Sequence, residues 1–208
     1  VSGGNYNVLV GDEAGTAIST GTGNVAVGVH ALDATTTADN NTAIGKSSLS
    51  TNITGSSNVA VGRDALYANT TGDNNVALGL EALTANMIGD RSTALGNYAL
   101  KSQNPSSNAD MYNVAVGHNA GGDVSTGTSN TLIGGLAGDA ITTGNYNVIV
   151  GSQSDSTAVD SEKAQGFGFN LSCAAGYTTI GSGSDDIRAA HGNVTWATVS
   201  DERYKKDI

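Results

Sequence analysis

Proline and cysteine are almost absent from this chain, with one of each in 208 residues. Aromatic residues make up 5% and charged residues 13%, the latter well below the usual share of about 25%. No run of 18 apolar residues occurs. Each shortage excludes something. The lone Cys173 leaves no intrachain disulfide and reads most simply as a small buried apolar residue. Without abundant proline, and without glycine at every third position, the chain is no collagen. Low charge and low proline also argue against a disordered segment. Nine Lys and Arg against nineteen Asp and Glu give a net charge of −10, which offers no basic stripe for nucleic acid. The lack of a long apolar run argues against a membrane span. With so few aromatics, the core must consist of small aliphatic side chains. The sequence starts at Val1, with no signal-peptide pattern, and reads as a piece of a longer polypeptide. Nothing in it points to a cofactor.

What the chain has instead is glycine, 29 residues in all, roughly twice the usual share of about 7%. The glycines are ordered. A segment Asn-(Val/Thr)-x-(Val/Ile/Leu)-Gly recurs, with its glycine at Gly11, Gly28, Gly45, Gly62, Gly79, Gly96, Gly117, Gly134 and Gly151. Seven steps are 17 residues and one is 21. The asparagine column runs Asn7, Asn24, Asn41, Asn58, Asn75, Asn113, Asn130 and Asn147, with Ser92 standing in once. Alanine follows most of the glycines three residues on, and leucine often comes next. A second glycine precedes most of the asparagines by three positions, as at Gly21, Gly55, Gly72, Gly127 and Gly144.

Seventeen residues is too short for helical repeats, which need about 33 or more. The period suits one coil of an all-β solenoid with two short strands and two turns. Period two puts Val8 and Val10 on one strand face and Leu9 on the other, and the other face carries Ala26, Ala43, Ala60, Ala77, Ala94 and Ala115 in later coils. Both faces are apolar or small, the pattern of strands buried on both sides. One face fills the lumen, expected to hold Ala and Val. The other needs cover, and association of subunits is its natural source. The glycine columns are expected to supply positive φ at turns. The asparagines are expected to stack as a ladder of amides, each bonding to the next coil. Columns that recur in every coil serve stacking rather than chemistry. Nine coils at about 4.8 Å each make a rod roughly 40 Å long.

Two places depart from the repeat. Four extra residues enter between Lys101 and Tyr112, around Pro105, and read as a tolerated surface bulge or a binding loop. After Gly151 the pattern weakens. Ser152–Glu162 reads as a loop or short helix, an echo returns at Gly168, and Tyr177–Gly181 and Asn193–Val199 alternate as strands. The expected organisation is a solenoid shaft over 1–151, a differently built β cap or neck over 152–199, and a separate start of another module at 200–208.

That last segment carries the resemblance. Ser200-Asp201-x-Arg203-x-Lys205-x-x-Ile208 resembles the opening motif of the intramolecular chaperone at the C terminus of phage tailspikes and tail fibres, endosialidases included. The upstream units, such as Gly72-Asp-Asn-Asn75-Val-Ala-Leu-Gly79, are similar to repeats that precede this chaperone. They also resemble, more distantly, the head repeats of YadA-type trimeric bacterial adhesins. The resemblance implies a left-handed β-roll-like solenoid packed as a homotrimeric fibre. It also implies self-cleavage after Ser200, with Ser200 as nucleophile and Lys205 as its base, in the parent protein. It implies a viral tail fibre outside the cell, binding a glycan or protein receptor on a host surface, or alternatively a bacterial surface adhesin.

Other functions are weaker on the residues. A polysaccharide-cleaving tailspike needs paired carboxylates. Asp64 and Glu81 are 17 apart and would stack, but the same column holds Glu13, His30 and Ser47. An ice-binding ladder needs paired Thr columns, and the single Thr column is broken by Ile88. Gly45-Lys46-Ser47 has Asn40 where a phosphate loop needs glycine, and the calcium-repeat likeness at Gly134–Asp139 occurs once. His30, His118 and His191 are too scattered along the chain to suggest zinc.

Overall fold

The structure, a computed structural model, describes residues 5–192 and the strand Ala197–Thr198. Among these residues the chain is all β, and no helix is present that is long and apolar enough to cross a membrane. In chain order the strands are β1 (Val8–Val10), β2 (Val25–Val27), β3 (Thr42–Ile44), β4 (Val59–Val61), β5 (Val76–Leu78) and β6 (Gly89–Asp90). Then come β7 (Thr93–Leu95), β8 (Ala109–Asp110), β9 (Val114–Val116), β10 (Thr131–Ile133), β11 (Val148–Val150) and β12 (Asp155–Ser156). The last are β13 (Gln165–Phe169), β14 (Ser172–Cys173), β15 (Tyr177–Ser182), β16 (Asp185–Ala190) and β17 (Ala197–Thr198).

One sheet runs the length of the molecule, in the order β1-β2-β3-β4-β5-β7-β9-β10-β11-β13-β15-β16-β17. Its first ten strands are parallel and come one from each coil of a β-solenoid. The register puts like residues over like: Ala26 over Ala43 over Ala60 over Ala77 over Ala94. The stack reaches one coil beyond Gly151, because β13 pairs in parallel with β11 and β14 with β12. Ser152–Glu162 forms turns and β12, with no helix. Direction then changes. β15 still runs parallel to β13, but β16 pairs antiparallel with β15, and β17 antiparallel with β16.

Among the described residues each coil has one regular strand rather than two, three residues long in the first nine coils and five in the tenth, with short second pairings only at β6–β8 and β12–β14. The backbone gives the reason. Four columns take positive φ: the turn glycine, near +134° to +143°, and three columns near +50° to +63°. One is the residue before the ladder asparagine (Asn40, Ser57, Asn74), one lies two after the turn glycine (His30, Ser47, Asp64), and one lies four after it (Leu32, Leu49, Leu66). A left-handed residue interrupts an extended strand. The coils nevertheless remain hydrogen-bonded on that side, as from the Leu32 N–H to the Ser48 carbonyl at 3.1 Å and from Ala34 to Ser50 at 3.1 Å.

The lumen is filled from the strand centre and the leucine column. Ala26, Ala31 and Leu32 are fully buried, as are their counterparts along coils 3 to 6. The valines flanking each strand centre point outward, so the lumen is packed with Ala and Leu rather than Ala and Val. Leucine reaches in from the opposite wall and fills the space that the Ala methyls leave.

Candidate functional site

The asparagine column builds one wall of the lumen. The Asn24 Oδ1 accepts the backbone N–H of Asn41 at 2.9 Å, and its Nδ2 donates to the Ala38 carbonyl at 2.9 Å. The same pair recurs at Asn41, Asn58 and Asn75, and Asn7 begins it, accepting the Asn24 N–H at 2.8 Å. The amide thus bonds chiefly to backbone of the next coil. Within this column, direct amide-to-amide bonds join only Asn113, Asn130 and Asn147, at 3.2 and 2.9 Å. Both ends of each side chain are satisfied in a buried interior, where an unmet amide costs about 1–3 kcal/mol.

A second buried column was visible in the sequence at the same period but unassigned: Thr35, Asn52, Asn69, Asn86 and Gln103. The Asn69 Nδ2 donates to the Asn52 Oδ1 at 2.8 Å, and the Gln103 Nε2 to the Asn86 Oδ1 at 3.1 Å. Gln103 also explains the irregular step. Ser92 is too short to continue the first ladder, and the Gln103 Oε1 accepts both the Ser92 hydroxyl and the Asn113 Nδ2, at 3.1 and 2.9 Å. The extra residues therefore form no simple exposed bulge. Pro105 and Met111 are buried, and only Ser106–Asn108 and their neighbours face solvent. At the rim of this segment Arg91 pairs with Asp110 and stacks near the Tyr112 ring.

The two glycine columns answer different needs. At Gly28 the φ is +137° and an added Cβ would lie 2.5 Å from the Gly45 carbonyl oxygen. In the second column φ is not positive. There glycine admits the next coil, since a Cβ on Gly72 would meet the Gly89 oxygen at 2.5 Å. The expected turn role therefore holds for the first column alone, together with the non-glycine residues noted above.

The largest candidate surface is the outward face of the sheet. Its twenty positions on the ten parallel strands hold sixteen apolar residues, three Thr, one Gln and no charge. Val10, Ile44, Leu78, Ile133 and Phe167 are exposed, Leu78 by 50%. The stripe continues onto the terminal hairpin, where Phe167, Ile180 and Ile187 lie side by side. No element among the described residues covers it.

A second candidate is an open groove of about 400 Å³ lined by Lys46, Ser47, Asp64, Tyr67, Glu81 and Thr84. Asp64 and Glu81 do share a column, with φ of 57° and 53°. Arg63 stands between them, 3.4 Å from Asp64 and 3.6 Å from Glu81. One guanidinium serving both carboxylates makes an ion-paired surface, unlike the free acid and base that glycoside cleavage needs. Of the three histidines, His30 alone has carboxylates within ion-pair distance among the described residues.

Cys173 is buried, and burial, followed by the charges of Asp155 and Asp186, pushes its thiol up to about 11. It is an inert core group rather than a nucleophile. Ser200 and Lys205, the expected self-cleavage pair, lie outside the described residues. No family model, no curated protein and no solved structure matches this chain.

Proposed function

We propose that this chain is a shaft segment of a homotrimeric tail fibre, in which three copies bury their outward sheet faces against one another. The reading rests chiefly on that face. It is uncharged over its full length, and no second layer among the described residues covers it. Ten coils at about 4.8 Å, with a face roughly 10 Å wide, give an apolar strip on the order of 450 Å². That is the size of the largest patches monomers leave open, about 300–600 Å², and such patches are often functional. A threefold arrangement covers it by presenting each face to two neighbours. The resemblance of the Ser200–Ile208 segment and of the repeats supports the same assembly.

Assembly would then serve attachment. Three chains present every exposed loop three times, and multivalent display raises avidity without any new contact. A host-surface glycan or protein is the expected receptor, and the location is the outside of a virion. Self-cleavage at Ser200 with Lys205 belongs to the parent protein in this reading.

Light scattering coupled to size exclusion tests the assembly. A trimer is expected, and Leu78→Asp combined with Val61→Asp should yield folded monomers, because both side chains point away from the lumen. A stable monomer of the unaltered chain overturns the reading.

A further inference from the structure

Three metal-ligating side chains that are separate in sequence meet at the first two coils. Glu13 and His30 occupy the same column in successive coils, each with a left-handed backbone, φ 55° and 57°. The 17-residue period therefore aims both in one direction, one coil apart. Asp33 follows His30 by three residues and turns back toward it. The His30 Nδ1 lies 3.0 Å from the Glu13 Oε2 and 3.6 Å from the Asp33 Oδ2, and the three ligand atoms all fall within 4.8 Å of one another.

We propose that Glu13, His30 and Asp33 form a binding site for a divalent transition ion of the zinc class, which ties coil 1 to coil 2. Zinc takes imidazole nitrogen and carboxylate oxygen at about 2.0–2.2 Å, so neighbouring ligands around a four-coordinate ion sit roughly 3.4 Å apart. The two distances from His30 bracket that value. One nitrogen and two carboxylate oxygens leave a coordination position for water.

The surroundings orient Asp33 from outside the cluster. The Asp33 Oδ1 accepts the Ser50 hydroxyl of the third coil at 2.8 Å, which leaves Oδ2 turned toward His30. Such partners on the far atom of a ligand orient it and tune its affinity. The Asp33 carbonyl accepts the Ala17 N–H at 3.1 Å, and the His30 N–H donates to the Asp12 carbonyl at 3.0 Å. Both tie the ligand-bearing backbone to coil 1. The site also lies where the stack is least supported. β1 has a sheet neighbour on one side only among the described residues, and Leu9 at its centre is only partly buried, unlike Ala26 above it. An ion bound by both coils would hold the folded stack and not the unfolded chain, so binding would add stability.

A protonated imidazole between two carboxylates would show the same distances, so the test must read metal uptake. The full chain, stripped with a chelator, is titrated with zinc chloride near neutral pH against a chromophoric chelator. Uptake of one zinc per chain is expected, with a rise in thermal midpoint. His30→Asn keeps a residue that tolerates the left-handed backbone. It should weaken uptake at least tenfold and abolish the rise in midpoint, and Glu13→Gln and Asp33→Asn should each weaken uptake. His118→Asn and His191→Asn should change nothing. No uptake by the unaltered chain overturns the proposal, as does uptake unchanged by His30→Asn. If that variant fails to fold, Glu13→Gln and Asp33→Asn decide: uptake unchanged in both overturns the site.

Discussion

Coils 2 to 6 and coils 7 and 8 share one backbone but fill it differently. In the earlier group the strand centre is Ala, the left-handed lumen position is Leu, and the third lumen position is polar, as with Ala60, Leu66 and Asn69. In coil 8 the same three positions are Leu132, Gly138 and Ile141. Coil 1 follows coil 8, with Leu9, Gly15 and Ile18. In coil 7, Gly121 opens a space into which Leu100 and Leu132 reach from the coils on either side. The φ values hardly differ, 50° at Leu66 and 61° at Gly138. The lesson is that lumen volume is conserved while its donors change. A leucine in a left-handed conformation costs roughly 1 kcal/mol or more. The Ala coils accept that cost to fill the lumen, whereas the Leu132 coil fills it from the strand and uses glycine at the turn.

Five substitutions test this contrast, in decreasing order of expected effect. Leu66→Ala empties a middle coil between Leu49 and Leu83, which cannot collapse without disturbing both. A loss of about 2–5 kcal/mol is expected in denaturant unfolding. Gly138→Leu does the opposite. Its Cβ would fall 2.6 Å from the Leu132 Cδ2, and overpacking should cost about 1–3 kcal/mol. Adding Leu132→Ala converts coil 8 to the middle pattern and should recover more than half of that loss. Additive losses in the double variant would sink the idea of a shared volume.

Asn58→Ala removes the acceptor of the Asn75 N–H and the donor to the Gly72 carbonyl. About 1–3 kcal/mol should be lost. The smallest effect concerns charge. The residue two before each ladder asparagine is acidic in several middle coils, as at Asp73 and Asp90, but Thr128 and Asn145 later. Burial holds the Asp90 carboxyl above its usual range, and the neighbouring carboxylates of Asp73 and Asp110 add to the shift. The folded state then binds the proton more readily than the unfolded chain. Stability contributed by this group falls as pH rises from the ordinary carboxylate range through the raised value. Asp90→Asn keeps an oxygen for the Asp73 N–H, now accepted at 2.7 Å, as Asn145 does for Thr128 at 2.8 Å. It should slightly raise the melting temperature at neutral pH and flatten its pH slope just above the usual carboxylate range.

Much of the fold was legible in columns. The spacing of Gly28, Gly45 and Gly62 marked the coils, and the alternation at Val59–Val61 marked the strands. The second amide column at Asn52, Asn69 and Asn86 has the same spacing and was equally readable. Other features were not. The 17-residue column puts Glu13 beside His30, but Asp33 is unremarkable until a coil is closed around it, because local spacing does not say which way a turn aims its side chains. The pairing of Gln103 with Ser92 depends on a loop of irregular length, which no period describes.

By itself the sequence determined that the chain is a stacked β-solenoid with a 17-residue period, because only parallel, in-register coils place identical glycines and amides over one another. The tertiary structure decided which strand face turns inward. Ala and Val are both apolar, so composition could not choose between them. In coils 2 to 6 the left-handed leucines fill the lumen from the far wall and leave room at the strand centre only for a methyl group, whereas Leu132 and Ile149 fill it from the strand itself; in both cases the flanking residues, mostly valines, turn outward to form the uncovered face.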